Sequence, residues 1–267
     1  MEKQISEKLI IFPISHFCEK AKWALEYVEI PYIEECYAPV LHRFMFTINK
    51  FGGISVPIFI SKEKEKINIL TSSSDIVLYA NFNSKNNKKL LPNDDKMIQE
   101  ISELEKLFDE KLGPATRRLI YYYVLDNKNL ALNLLTIGIS KKQETLIKYN
   151  YFIVKKIMKN YMSISKDGSV EASNIIDEIF GIVESKLFDG RHYLVGNSFS
   201  IADLAFASLA SPILIPKEFL LYHENKQHFP QQYLKIVQKY RKTSAGKFAL
   251  RIYEENRFIN SIDKCLS

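Results

Sequence analysis

The residues of this sequence best placed to do chemistry lie near its start, in the stretch IFPISHFCEKAKWAL at residues 11–25. The hydroxyl of Ser15 stands three residues before the thiol of Cys18, where a short apolar run passes into an amphipathic helical pattern. Two cysteines at this spacing exchange disulfides, but serine occupies the first position, so two-thiol chemistry is excluded. A lone cysteine within a helix is usually a small core residue. We expect Cys18 to be buried, and Ser15 to cap the helix, to act on a ligand, or to do both.

The elements that must position Ser15 alternate between strand-like and helix-like patterns over residues 1–90. Strands are predicted at residues 9–12, in YIEEC, and in VPIFI and KINIL, which the charged turn SKEKEK joins. Helices are predicted in CEKAKWALEYV, in VLHRFMFTINKFGG and from TSSSDIVLYA onward. A right-handed crossover between parallel strands, followed by an antiparallel hairpin, predicts a small sheet covered by helices.

From about Leu91 onward the sequence shows helical periodicity only. The predicted helices are MIQEISELEKLFDEKL, which Gly113 and Pro114 end, ATRRLIYYYVL, TLIKYNYFIVKKIMKNYM, ASNIIDEIFGIVESKLF, SIADLAFASLA and QQYLKIVQKYRK. We therefore predict an α/β domain at residues 1–84, a polar linker at 85–95 and an all-α domain at 96–267. Residues 126–166 and the tail after Lys242 carry no motif with a chemical interpretation.

Composition limits the classes of function. The net charge is +6, but the lysines are scattered among acids, which is not the clustered pattern of a nucleic-acid site. Three cysteines without metal-ligand spacing argue for a reducing compartment, against a disulfide framework and against a metal site. No signal peptide is visible, and the most apolar segment, LAFASLASPILIP, is too short to span a bilayer. We expect a cytoplasmic protein without nucleic-acid binding or stable membrane insertion.

Two further motifs have structural interpretations. Pro57 precedes a strand-like run, where it marks a strand start or an edge, and a cis bond after Val56 is a minority outcome. Ser200 and Asp203 stand before an apolar helix with capping-box spacing. This second motif concerns folding and not catalysis.

Taken together, these pieces resemble the glutathione S-transferase family, and the resemblance covers nearly the whole chain. SHFCEKAKWALE stands where the family has its Ser/Cys-x-x-Cys turn and first helix, VPIF at its cis-proline turn, TSSSDI at its glutathione-binding serine motif, and YLVGNSFSIADLAF at its C-terminal capping box. The turn looks like that of a poorly characterised bacterial branch. The resemblance implies a thioredoxin-like N-terminal domain followed by an all-α C-terminal domain.

The resemblance also implies roles for residues. Ser15 matches the activating residue, whose hydroxyl donates to the glutathione sulfur while the helix dipole favours the thiolate. Val56 would pair its backbone with the cysteinyl part of glutathione if Pro57 is cis. Ser73, with Ser72 beside it, would hold the γ-glutamyl carboxylate at a helix N-terminus. Relatives commonly carry an acidic or amide residue at the position of Ser72.

Two histidines lie near these positions. His16 follows Ser15, and we expect this turn residue to face solvent, although contact with a ligand carboxylate or thiolate is an alternative. His42 is a candidate for the glutathione pocket, with Arg43 as a carboxylate partner.

A run of aromatic and basic residues falls on the helix that faces the hydrophobic-substrate site in relatives. It comprises Arg117, Arg118, Tyr121, Tyr122 and Tyr123. An aromatic stripe is more often core than pocket, so we expect only one of the tyrosines to line a cleft. The candidates for the substrate site are Tyr121, Tyr122 and Arg118.

The leading hypothesis is a cytosolic, homodimeric glutathione transferase that uses glutathione as cosubstrate to conjugate or reduce an electrophilic, largely apolar compound, as in detoxification. The resemblance implies no metal. The alternative is a non-catalytic binding or interaction protein of the same fold. A third hypothesis, a glutathione-dependent thiol reductase that uses Cys18 alone, is disfavoured because Cys18 stands at the resolving position.

Overall fold

The N-terminal part of the chain forms a four-stranded mixed sheet in the computed structural model, which describes residues 7–40, 55–63, 66–219 and 226–257. The strands lie in the order β2-β1-β3-β4, with β1 parallel to β2 and antiparallel to β3, and β3 antiparallel to β4. Their bounds are β1 (Lys8–Ile11), β2 (Ile33–Cys36), β3 (Ile58–Glu63) and β4 (Lys66–Leu70). The predicted crossover followed by a hairpin is therefore confirmed.

Two helices accompany this sheet among the described residues. Helix α1 (His16–Tyr27) makes the crossover from β1 to β2, and α2 (Ser73–Phe82) follows β4. The apolar face predicted for α1 is the buried one, since Cys18, Ala21 and Leu25 have no exposed surface. Burying one leucine side chain of this kind stabilises a fold by about 2 kcal/mol. The helix predicted in VLHRFMFTINKFGG, residues 40–53, lies outside the described residues except for its first position.

The strand register brings several chain turns to one edge of the sheet. Ile11 at the end of β1 pairs with Cys36 at the end of β2, and Ile10 pairs with the first residue of β3, Ile58. Phe59 in turn pairs with Leu70, the last residue of β4. The turns after β1, β2 and β4 and the turn before β3 therefore lie along the same edge. This edge is where α1 and α2 begin.

The rest of the described chain is helical, as predicted. Packing is continuous between the sheet part and the helical part, because residues of both belong to one buried hydrophobic cluster. Helix α2 ends at Phe82 and α3 begins at Asp95, and the division into domains at residues 84 and 96 stays a prediction. The helices are α3 (Asp95–Leu107), α4 (Gly113–Val124), α5 (Lys128–Leu135), α6 (Lys141–Tyr149), α7 (Tyr151–Tyr161), α8 (Lys166–Leu187), α9 (Ile201–Leu214), α10 (Gln231–Lys242) and α11 (Ser244–Asn256).

One predicted helix end is wrong. Gly113 and Pro114 do not end the helix that starts at Asp95, because α3 passes through a π-helical turn (Phe108–Leu112) directly into α4. Pro114 lies in the first turn of α4, where a missing backbone N–H is tolerated. Gly113 and Pro114 therefore mark the point where the π-helical turn passes into α4, and not the end of a helix.

The π-helical turn keeps a series of residues on the same side of this long helix. Glu105, Asp109, Gly113 and Arg117 follow at intervals of four residues. At 3.6 residues per turn, three such steps drift about 120° around the axis. The extra residue that the π-helical turn accommodates removes about 100° of that drift. All four residues consequently face α1 or the space beside it.

Other helix boundaries also differ from the predictions. The stretch TLIKYNYFIVKKIMKNYM is divided between α6 and α7 at Asn150, whose backbone N–H closes the end of α6. Helices α5 and α11 have no counterpart among the predictions. Helix α9 continues through Pro212 to Leu214. None of the helices in the described ranges combines the length and apolar character needed to cross a membrane.

The predicted capping box at the start of α9 is present. The carboxylate of Asp203 accepts hydrogen bonds from the backbone N–H and the hydroxyl of Ser200, at 2.8 and 2.7 Å. It also accepts from the backbone N–H of Leu194 at 2.8 Å. Because all three donors are buried, Asp203 fixes both the start of α9 and the loop before it.

The two described cysteines differ. Cys18 is a free, buried thiol, as expected. Cys36, at the end of β2, is disulfide-bonded. The expectation of uniformly reduced cysteines therefore fails at Cys36.

A buried charge cluster joins α1 to the helical domain. Lys20 has no exposed surface, and its ammonium donates to both carboxylate oxygens of Asp109 at 2.7 Å. It also lies 2.8 Å from a carboxylate oxygen of Glu105 and donates to the hydroxyl of Ser74 at 3.2 Å. The Ser74 hydroxyl in turn donates to Asp109. Elements α1, α2, α3 and the π-helical turn thus meet at one ammonium group.

The end of α11 makes a second contact with α1. The indole N–H of Trp23 donates to the backbone carbonyl of Asn256 at 3.0 Å. The guanidinium of Arg257 pairs with Glu19 at 2.8 Å and with Glu26. Helix α1 is consequently fixed from two sides, which holds its N-terminus in a defined place.

Candidate active site

A cleft of about 110 Å³ lies between the sheet edge and the helical domain. The sheet side supplies the start of α1 and the turns beside β2 and β3, and the helical side supplies α4 and the end of α7. The lining residues are Phe12, Ser15, His16, Phe17, Pro39, Val40, Ser55 and Val56 on the first side, and Arg117, Ile120, Tyr121, Ile157, Met158, Tyr161 and Met162 on the second.

Ser15 is the N-cap of α1 and lines the cleft. Its backbone is extended, and its hydroxyl oxygen accepts a long hydrogen bond from the backbone N–H of Cys18 at 3.4 Å. Because the oxygen acts as the acceptor in this cap, the hydroxyl proton can be donated, either to the thiol of Cys18, with which Ser15 forms a side-chain hydrogen bond, or to a group in the cleft. The positive end of the α1 dipole lies at the same point. An anion held there would be stabilised by the hydrogen bond from the hydroxyl and by the helix dipole.

Cys18 is not a nucleophile in this structure. Its thiol has no exposed surface, and burial raises the pKa of the thiol to about 12. The thiolate fraction near neutral pH is therefore negligible. This placement agrees with the interpretation of Cys18 as a small core residue.

The Val56–Pro57 peptide bond is cis, as the resemblance implied. Val56 lines the cleft, while Pro57 is buried directly before β3. The register places this turn next to the end of β1, and therefore close to the turn that carries Ser15.

Ser72 and Ser73 lie where α2 begins. Ser72 is the exposed N-cap, and its hydroxyl oxygen accepts from the backbone N–H of Asp75 at 3.0 Å. Ser73 is buried as the first residue of the helix. Neither residue lines the cleft described above, but both lie at the same sheet edge because they follow the end of β4. His42 and Arg43 lie outside the described residues.

His16 is buried and does not face solvent, which corrects the expectation. Its Nε2 lies 2.9 Å from the backbone carbonyl of Gly113, to which it donates. Burial, followed by the nearby charge of Arg117, lowers the pKa of His16 to about 3. The ring is therefore neutral at physiological pH. The physical reason for its burial is that the π-helical turn places the Gly113 carbonyl against the start of α1.

Gly113 makes a close contact with the start of α1. A Cβ atom there would lie 2.4 Å from Cζ of Phe17, the residue after His16. Real Cβ atoms do not approach an atom so closely, so a side chain at 113 would force the Phe17 ring, or the first turn of α1 that carries it, to shift.

The helical wall presents Arg117 and Tyr121 to the cleft, whereas Arg118 and Tyr122 do not line it. Arg118 donates to the backbone carbonyl of Met162 at 3.1 Å and pairs with Glu171 at 2.7 Å. Burial raises the pKa of Tyr121. Positions 117, 120 and 121 share one helix face, but positions 118, 121 and 122 have the same spacing, so the sequence alone does not distinguish Arg117 from Arg118.

The described part of the chain therefore combines a thioredoxin-like sheet domain with a helical domain packed on it, and the cleft lies at the cis-proline edge of the sheet. The fold is that of a thioredoxin-like α/β domain followed by a helical domain, with a cleft at that edge. This agrees with the predicted fold class.

Comparisons with known proteins support the resemblance. Residues 148–243 match the family described as Glutathione S-transferase, C-terminal domain. The chain is similar to FzlA from C. crescentus, with 17% identity and a TM-score of 0.54 over 96% of this chain and 95% of that one. It is similar to a glutathione transferase family member from Pseudomonas fluorescens pf-5 with two glutathione bound, with 14% identity and a TM-score of 0.54 over 94% of each chain.

A third similar structure is a glutathione S-transferase of Ceriporiopsis subvermispora in complex with glutathione, at 12% identity and a TM-score of 0.62 over 96% of this chain and 100% of that one. No curated protein sequence matches the chain. The resemblance drawn from the motifs is confirmed at the level of the fold: the chain has the glutathione S-transferase fold, and residues 148–243 match the C-terminal domain of that family.

Proposed function

We propose that this protein is a glutathione transferase in which Ser15 stabilises the thiolate of bound glutathione. The observation that carries the proposal is the placement of Ser15, which lines the cleft at the N-terminus of α1 and whose hydroxyl oxygen acts as the acceptor in the helix cap. Two proteins of similar fold were crystallised with glutathione, which supports glutathione as the cosubstrate.

The proposed reaction needs no nucleophile from the protein. The glutathione thiol loses its proton to solvent, its sulfur forms a bond to an electrophilic carbon, and the leaving group departs with the bonding electrons. A hydrogen bond to a charged group is worth about 1.5–3 kcal/mol, which corresponds to a fall of about one to two units in the thiol pKa. Burial of Cys18 argues against the alternative of a thiol reductase that uses this residue.

The remaining candidate residues would bind different parts of the two substrates. Val56 and Pro57 would hold the cysteinyl part of glutathione, and Ser72 and Ser73 its γ-glutamyl carboxylate at the start of α2. His42 stays a candidate for the same pocket. The apolar residues of α4 and α7 would accept the electrophile. A homodimer and a cytoplasmic location remain predictions.

The proposal is tested by glutathione binding in calorimetry, together with ultraviolet absorbance of the bound thiolate as a function of pH. Wild type should bind glutathione and lower its thiol pKa by about one to two units. Ser15→Ala should abolish most of this shift. Ser165→Ala is the matched control, because Ser165 caps α8 with a 3.0 Å hydrogen bond from Gly168 and does not line the cleft.

A thiol pKa shift that survives in Ser15→Ala would show that another group activates the sulfur. Absence of glutathione binding at millimolar concentration would contradict the transferase proposal as a whole. The protein would then be better explained as a non-catalytic binding or interaction protein of this fold.

A further inference from the structure

We propose that the electrophilic substrate carries a carboxylate and that Arg117 binds it. The inference deepens the proposed function, on which its reaction rests, whereas the binding of the carboxylate can be measured without any reaction. It starts from a cation in the cleft, Arg117, for which the described residues supply no carboxylate counter-ion.

The guanidinium of Arg117 is largely buried in the wall of the cleft. Its Nε–H has no hydrogen-bond partner, and no carboxylate within the described ranges forms an ion pair with Arg117. The groups whose charges act on it are Arg118, Tyr121 and Tyr161, and none of these is a carboxylate. His16 beside it is neutral, because its pKa is about 3.

The chain segment between the cleft residues Val40 and Ser55 does not supply a counter-ion either. Residues 41–54 read LHRFMFTINKFGGI and contain neither aspartate nor glutamate.

A buried guanidinium with an unsatisfied N–H is costly to retain. Arg117 is partly compensated by Phe17, whose ring centre lies 5.8 Å from the guanidinium carbon. In this contact the Phe17 ring lies against the flat face of the guanidinium. The N–H groups point outward in the guanidinium plane, so the contact does not block them. A planar fork of N–H donors matches a carboxylate, which can accept two parallel hydrogen bonds from it.

The residues around Arg117 indicate the chemical character of the rest of the ligand. Ile120 lies one turn further along α4, and Ile157 and Met158 of α7 line the same wall. An apolar or aromatic body with a carboxylate at one end fits this combination. Because the candidate glutathione residues Val56 and Ser73 belong to the sheet edge, we assign the carboxylate at Arg117 to the electrophile and not to glutathione.

The test compares two electrophiles of nearly equal shape, 4-chloro-3-nitrobenzoate and 4-chloro-3-nitrobenzamide. In both, the glutathione sulfur bonds to the ring carbon that bears chlorine, and chloride leaves with the bonding electrons. Each kcat/KM is divided by the uncatalysed rate constant with glutathione, because the two rings differ in intrinsic reactivity. Wild type should prefer the benzoate on this normalised scale.

Arg117→Met should lower the normalised kcat/KM for the benzoate roughly ten- to a hundredfold and change that for the benzamide less than about threefold. Arg117→Lys keeps the charge but not the planar fork, and should recover part of the loss. Lys156→Gln is the matched control, since it removes one positive charge from an exposed position on α7. It should leave both values within about twofold.

Calorimetry of the benzoate and the benzamide without glutathione separates this inference from the proposed function. Tighter binding of the benzoate by wild type than by Arg117→Met supports the inference even if the protein turns over neither compound. Equal affinities of the two probes in both proteins would overturn it. A loss of glutathione affinity in Arg117→Met, with unchanged probe binding, would also overturn it, because Arg117 would then hold a carboxylate of glutathione.

Discussion

Replacement of Lys20 by methionine removes the only cation of the buried cluster described above and leaves its two carboxylates in place. Glu105 and Asp109 expose 10% and 18% of their side chains, whereas the Lys20 side chain exposes none. The three contacts that Lys20 makes with their oxygens measure 2.7, 2.7 and 2.8 Å. Burial already raises the pKa of Glu105 in the intact cluster.

We expect Lys20→Met to lower the free energy of unfolding at pH 7 by about 3–5 kcal/mol, the usual cost of leaving a buried charge without its partner. The loss should be smaller at pH 5, because the Glu105 carboxylate, whose pKa burial raises, can then bind a proton. The triple variant Lys20→Met, Glu105→Gln, Asp109→Asn should recover most of the lost free energy, since it removes the uncompensated charges as well.

Urea unfolding followed by two signals is the appropriate assay. Trp23 is the single tryptophan of the chain and lies where α1 meets the end of α11, so its fluorescence reports on the domain interface. Circular dichroism reports mainly on the helical domain. Lys239→Met is the matched control, because Lys239 also makes a 2.7 Å ion pair, with Asp177, but 58% of its side chain is exposed. We expect this variant to lose less than about 1 kcal/mol.

Similar losses in Lys20→Met and Lys239→Met would refute the reasoning, because burial would then not determine the energy of the ion pair. A triple variant no more stable than the single one would refute it differently, since the loss would then come from packing of the lysine stem.

Two further predictions concern the contact between α1 and Gly113. The pKa of His16 is about 3 in the folded protein and near 6.5 when unfolded, so its contribution to stability is lost as pH falls from 6.5 toward 3, by at most about 1.4 kcal/mol per pH unit. His16→Gln keeps a donor for Gly113 but does not titrate, so its urea midpoint should change less between pH 7 and pH 5 than that of wild type; equal changes would contradict the assigned pKa. Gly113→Ala should cost about 1–3 kcal/mol in thermal or urea unfolding because its Cβ would lie 2.4 Å from Phe17. Gly181→Ala, with no atom within 4 Å of its Cβ, should stabilise α8 by up to about 1 kcal/mol, and equal effects of the two alanines would rule out the steric explanation.

Much of the fold was predictable because the signals that specify it are local. The short apolar run of β1, the strand-like patterns of β2 to β4 and the period of about 3.6 in α1 depend on residues close together in the sequence. The caps at Ser15 and Ser200 bond groups only three residues away, so their types and spacing were sufficient to predict them.

Part of the candidate site followed from the same local signals. The sequence placed Ser15 at the start of a helix and Pro57 before a strand, and the resemblance supplied their expected roles. Strand register then brought both to one sheet edge, which no local pattern specifies.

The rest depended on contacts between residues far apart in the sequence. His16 is buried because it meets the carbonyl of Gly113, 97 residues later, and its local sequence contains no sign of that partner. The side chains of Arg117 and Arg118 point in directions that differ by about 100° around the axis of α4. A single extra residue in the π-helical turn at 108–112 changes the direction of every later side chain by that amount. The sequence thus determined most of the elements and the caps at Ser15 and Ser200, and only the tertiary structure decided which of two adjacent arginines faces the cleft, because packing against α1 selects the helix face.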